Sequence, residues 1–172
     1  MDSEQRRPAI LDTITESRKV LTGTDLAKLF NVTRQVIVQD IAILRAAGHE
    51  IIATPQGYMM PRFPKPDYRR IFAVKHTAGQ IWDELSEIIK LGGKVLDVII
   101  EHPLYGEFKG QLMITSIGDL KRFLARMAKA GAEPLSALTE GVHLHTVEAN
   151  SIETLNQIEA MLHDKGFLLD GE

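Results

Sequence analysis

Apolar residues recur at helical spacing through the first third of the chain. Ile10, Leu11, Ile14 and Val20 form one stripe, which predicts a helix over 8–20 with Pro8 in its first turn. Gly23 then breaks the chain, and Leu26, Ala27, Leu29 and Phe30 make a second, short stripe that stops at Asn31-Val32. Thr33 is placed to cap a third helix carrying Ile37, Ile41 and Leu44. Beyond Gly48 the pattern changes to two short extended runs, 50–54 and 58–60, joined through Pro55-Gln56-Gly57.

Three prolines within residues 61–66 cannot continue a helix or a central strand, so that stretch reads as a semi-rigid joint. It divides the chain into domains of residues 1–62 and 63–172. The second domain opens with a strand over 70–76. Thr77 and Gln80 have capping-box spacing, and the helix behind them buries Ile81, Leu85, Ile88 and Ile89 up to Gly92-Gly93. A hairpin follows, with strands 95–102 and 107–115. Ser116 and Asp119 open a helix with Ile117, Leu120, Leu124 and Met127 on one side. Residues 142–147 form a strand, Asn150 and Glu153 open a last helix running to Leu162, and 167–169 make a final extended piece. The order β-α-β-β-α-β-α implies a sheet covered by helices on one face, so the expected fold class is α+β.

Helix, tight turn, helix and β-wing is the build of a DNA reader. Arg34, Gln35, Val38 and Gln39 fall away from the Ile37/Ile41/Leu44 stripe, where amide and guanidinium groups are able to meet base edges in a major groove. The segment resembles the winged helix-turn-helix of biotin-repressor-type regulators. The likeness rests on Leu26-Ala27, Leu29, Val32-Thr33-Arg34, Val36-Ile37, Asp40-Ile41, Leu44-Arg45, Gly48, Ile51 and Gly57-Tyr58. Thr33 stands where that pattern has Ser, and Val36 where it has Thr. The DNA-contact candidates are Thr33, Arg34, Gln35, Val38, Gln39, Arg45 and the wing residue Gln56.

Charge bears on how DNA is held. The net charge is −3, but residues 1–62 carry 8 Lys+Arg against 7 Asp+Glu, and residues 63–172 carry 12 against 16. Phosphate attraction must therefore come from placed residues such as Lys28, Arg34, Arg45 and Arg62, and a homodimer reading two half-sites of double-stranded operator DNA is expected. Zero cysteines exclude disulfides and thiolate-held metal. No run approaches the roughly 20 apolar residues of a membrane span, and MDSEQRRPAILD has no signal-peptide core. A soluble cytoplasmic protein with no membrane partner is the expectation.

Six histidines remain to be placed. His143 and His145, two apart on a strand, point to the same face and are able to converge on one ion. His76 closes the first strand of the second domain, and Glu84 lies two turns into the next helix, off its watery side. Three imidazoles and a carboxylate suit a divalent transition metal, Ni²⁺ or Zn²⁺. A solvated polar strand face would carry the same His-x-His spacing, and spacing alone leaves both readings open. His49 is read as structural, and His163 as a cation in a last helical turn.

The whole chain also resembles the NiaR-type repressors of NAD biosynthesis and niacin uptake. That likeness rests on Val74-Lys75-His76, on Asp97-Val98 with 101–106 (EHPLYG), and on 141–146 (GVHLHT). It implies a second domain similar in fold to the HPr phosphocarrier, an α/β open sandwich. It also implies a metal held by His76, Glu84, His143 and His145, a dimer, and nicotinic acid as co-repressor. The residues that would meet the effector are not fixed by the likeness; Lys75, His102 and Lys109 are the candidates. A metal-dependent hydrolase fused to a DNA-binding domain competes with this reading, as does a repressor answering to another small carboxylate.

Overall fold

In the computed structural model, which describes residues 2–61 and 68–169, the first helix begins earlier than its apolar stripe suggests. Helix α1 spans Ser3–Glu16, capped by the Asp2 carboxylate accepting from the Gln5 N–H at 2.9 Å. Pro8 thus sits inside the helix and not in its first turn. The helix stops short of Val20 because the Ser17 hydroxyl bonds the Lys19 carbonyl at 2.7 Å, a local turn that competes with helical bonding. Val20 is exposed and does not join the stripe, and Leu29, although inside the second helix, is 64% exposed. Helix α2, Gly23–Phe30, starts on the glycine that was expected to precede it. A capping box between Thr22 and Asp25 sets that start. Asn31 in the left-handed region ends the helix, and Thr33 caps helix α3, Arg34–Ala46, as its spacing predicts.

The wing consists of strands β1, Ile52–Thr54, and β2, Gly57–Met59, paired antiparallel. A third piece of backbone joins it. Leu21 and Tyr58 exchange two backbone hydrogen bonds, at 3.0 and 2.8 Å, so the wing is tied to the segment just before α2. Gly57 makes this approach possible: its φ is +139°, and a Cβ there would lie 2.4 Å from the Leu21 carbonyl oxygen. Ile10, Ile14, Leu26, Ile37, Ile41, Leu44 and Ile51 form the core of this unit. One ion pair crosses it: buried Asp40 of α3 accepts from Arg6 Nε of α1 at 2.6 Å, with Arg7 at 4.0 Å.

Contacts divide the chain into two compact units, residues 1–63 and 64–172. The expected proline-rich joint at 61–66, Arg62 included, lies outside the described residues apart from Pro61.

The second unit holds a four-stranded antiparallel sheet in the order β3-β6-β4-β5. The strands are β3, Tyr68–Lys75; β4, Lys94–His102; β5, Gly106–Ile114; and β6, Val142–Ala149. Helices α4, Ile81–Lys90, α5, Ile117–Ala130, and α6, Ile152–Asp164, supply the other half of one core. Phe72, Val74, Val95, Ile114 and Val147 of the sheet meet Leu85, Ile88, Leu120, Leu155 and Ile158 there. The element order is the expected one. Ser151, not Asn150, caps α6, accepting from the Thr154 N–H at 3.1 Å. The final extended piece reduces to one bridge, Leu168 to Val74. A short 3-10 stretch, Leu135–Thr139, was not anticipated.

Candidate functional site

Strand pairing creates the buried polar cluster. In the β3–β6 register Val74 faces His143, which carries the end of β3, and so His76, toward the start of β6. Period-two alternation puts His143 and His145 on the helix-covered side with Val147. Helix α4 then lowers Glu84 onto them. All four side chains are buried: His76 is 7% exposed, His143 and His145 3% each, and Glu84 1%. A solvated strand face is thereby excluded.

The imidazoles share one bonding pattern. His76 Nδ1 donates to the Thr77 carbonyl at 2.8 Å, His143 Nδ1 to the Gly141 carbonyl at 2.8 Å, and His145 Nδ1 to the Asp97 carbonyl at 2.6 Å. Carbonyl oxygens only accept, so each Nδ1 carries a proton and each Nε2 is the ring nitrogen left to meet another partner. All three Nε2 atoms turn toward Glu84. His76 Nε2 contacts Oε2, His143 Nε2 lies 3.6 Å from the same oxygen, and His145 Nε2 lies 3.4 Å from Oε1. The ligand atoms of His76, Glu84 and His143 fall within 4.8 Å of one another.

Glu84 Oε1 is buried with no hydrogen-bond partner, a costly state for a charged acceptor. Burial opposes protonation of His76 and His145, but the Glu84 carboxylate outweighs it and holds both above the ordinary histidine range. Burial alone would raise the Glu84 carboxyl. The charge of His145 and the imidazole hydrogen bonds prevail, and it stands well below the usual carboxylate range. Three Nε2 atoms that converge and can give up a proton to a metal, a carboxylate oxygen without a hydrogen-bond partner and backbone carbonyls fixing each ring fit the donor set and outer support of a divalent metal.

Several supporting residues carried no readable role in the sequence. Gly141, at φ +91°, would place a Cβ 2.4 Å from the His76 carbonyl oxygen, so only glycine lets the His76 and His143 segments come together. Asp97 presents its carbonyl to His145 while its Oδ1 accepts the Thr146 N–H at 2.8 Å and its Oδ2 pairs with Lys109 at 3.4 Å. It sits where the β4 register shifts, an irregularity that no hydropathy pattern announces. Phe167 packs edge-on against His76 with ring centroids 5.3 Å apart.

The effector candidates separate. Lys75 lines a pocket of about 490 Å³ with His76, Gln80, Ser136, Gly141 and the carboxylate Glu140. Lys109 is engaged by Asp97. His102 instead organises the β4–β5 turn: its Nδ1 accepts from the Leu104 and Tyr105 N–H groups at 3.1 and 3.3 Å. Neither lines that pocket.

In the first unit, Thr33, Arg34, Gln35, Gln39 and Arg45 are exposed, while Val38 and Gln56 are half-buried. The Arg34 stem lies over Gly23, its Cγ and Nε both 3.4 Å from where a Cβ would stand, with the Tyr58 ring 3.6 Å from the same point.

A winged helix-turn-helix followed by a histidine-bearing sandwich defines a DNA-binding regulator with a second, attached domain. Residues 6–59 match an HTH domain family, and residues 69–171 match the 3H domain. The chain is 42% identical over 167 residues, 97% of its length and 95% of the relative's, to the probable transcription repressor NiaR of Thermotoga maritima. It is 38% identical over 167 residues, 95% of its length and 93% of the relative's, to the transcription repressor NadR of Bacillus subtilis. The chain belongs to this family of 3H-domain transcription repressors. Neither relative is named as an enzyme. Among the described residues no helix is long and apolar enough to cross a membrane.

Proposed function

We propose that this protein represses transcription by binding operator DNA as a homodimer, and that its 3H domain holds a divalent metal beside a site for nicotinic acid. The observation that supports the metal assignment is the convergence of three Nε2 atoms, each on a ring whose Nδ1 is tied to a backbone carbonyl, on a buried carboxylate with an unpartnered oxygen. His76, Glu84, His143 and His145 would hold the ion, which on binding supplies a Lewis-acidic centre with positions left for a carboxylate or pyridine nitrogen. Nickel and zinc both suit such a nitrogen-rich set.

The chain's own groups set the rest. The Thr77, Gly141 and Asp97 carbonyls keep the rings aimed. Lys75, which lines the same pocket as His76, offers a cation to a small carboxylate, and Glu140 in that lining disfavours a doubly charged one. Nicotinic acid as the carboxylate, and genes of NAD biosynthesis or niacin uptake as targets, rest on the family likeness. A co-repressor works only by binding the DNA-competent state more tightly.

Purified protein should contain one metal per chain by mass spectrometry, and the His143→Ala/His145→Ala double variant none. A double variant that retains stoichiometric metal removes the assignment. Titration calorimetry of the loaded protein should give heat with nicotinate and far less with nicotinamide. Equal response to both would remove the carboxylate from recognition.

A further inference from the structure

Helix α3 presents a stripe to solvent that bears no charge. At about 100° per residue, Gln35, Gln39, Ala42 and Ala46 lie on one line along the helix, opposite the buried Ile37, Ile41 and Leu44. All four are exposed. Arg34 and Arg45 lie about 80–100° round from that line, on the flank with half-buried Val38. Arg34 is further held off it, because its stem rests on Gly23 beside the Tyr58 ring. Ile43, 48% exposed, occupies the other flank.

We propose that the stripe Gln35–Gln39–Ala42–Ala46 makes this protein a reader of A·T pairs, with Arg34 as a contact to the DNA backbone and not to a base. The inference rests on the DNA-binding reading above. A glutamine amide matches the N6 donor and N7 acceptor of adenine in the major groove, whereas guanine is read by Arg or Lys, and the stripe has neither. Ala42 and Ala46 add no bulk, so the helix backbone comes close to the groove floor, and the Ala42 methyl suits the thymine methyl. Arg34, at the junction of α2, α3 and wing, supplies charge without sequence information.

Selection from a duplex library with 20 random base pairs tests this, using the full-length protein loaded with Zn²⁺, with and without nicotinate. The expected consensus has A·T pairs at two positions in each half-site. Gln35→Ala and Gln39→Ala should each relax one of them, weakening discrimination about 5- to 150-fold. Gln39→Arg should convert one position per half-site to guanine. Arg34→Ala should leave the consensus unchanged, weaken binding to every sequence alike, and lower the slope of log affinity against log salt by about one. A guanine preference that disappears in Arg34→Ala overturns the proposal, as does a consensus untouched by both glutamine variants. Failure to enrich any sequence under either condition overturns the repressor reading itself, and the inference with it.

Discussion

In residues 2–61 the polar groups assigned a function stand outward on α3, while in residues 68–169 they are buried between β3, α4 and β6. The first arrangement asks nothing of the fold. Gln35 and Gln39 are exposed, and the core beneath them is aliphatic apart from the Arg6–Asp40 pair. The second arrangement is inseparable from the fold. A buried glutamate and three buried histidines must satisfy one another or a ligand, since unpaired buried charge is strongly unfavourable. The outward polar groups are therefore separable from stability in the first unit, and the buried ones are coupled to it in the second.

The largest expected effect comes from Gly141→Ala. Backbone strain alone costs roughly 1–3 kcal/mol, before the collision with the His76 carbonyl is counted. The full-length protein should melt lower and lose metal affinity together. A variant that melts lower but binds metal as before would show the cluster to be independent of its backbone cradle.

A smaller, graded effect follows from proton linkage. His76 and His145 titrate above their ordinary value of 6.5 in the folded metal-free protein, so their contribution is full below that value and lost as pH rises through the folded one. Glu84 is depressed below its ordinary 4.5, so its contribution is present above that value and lost as pH falls. Metal-free protein should thus be most stable between about pH 4.5 and 6.5 and weaken at higher pH. Metal-loaded protein should instead gain affinity over the upper range, because the ligands need no longer release protons. Thermal melts with and without a chelator across this range check it; parallel curves would break the coupling.

The smallest effect belongs to the reader. Thr33→Ala removes the cap on α3, where the hydroxyl accepts from the Val36 N–H at 3.3 Å, and should cost about 1 kcal/mol. Metal affinity should not change. A fall in metal affinity would mean the two units are not separable as described.

The helices were legible because their signals are local. Thr33, and the Thr77/Gln80 box that starts the turn before α4, sit where spacing puts them. Errors fell where a side chain competed with the backbone: Ser17 ends α1 early, and Ser151 takes the cap expected at Asn150. In the site, alternation alone aligned His143 with His145. Their convergence with His76 needed β3 beside β6, a long-range pairing with no trace in periodicity. Asp97 and the Leu135–Thr139 stretch were illegible for a related reason, since a register shift and a 3-10 turn depend on what packs around them. Arg34 carries a neighbour that no spacing announces: its stem lies over Gly23, where the absent side chain leaves room for it.

The Leu21–Tyr58 bridge bears on the entropy of docking. Two backbone hydrogen bonds bind the wing to the segment that caps α2, and the Arg34 stem lies over Gly23 at the start of that helix. Wing and helices are ordered relative to each other before any nucleic acid is met. Ordering loops at the moment of association is a principal cost of binding. Residues 2–61 incur little of it, which suits a reader whose weakly basic surface gives only modest electrostatic attraction.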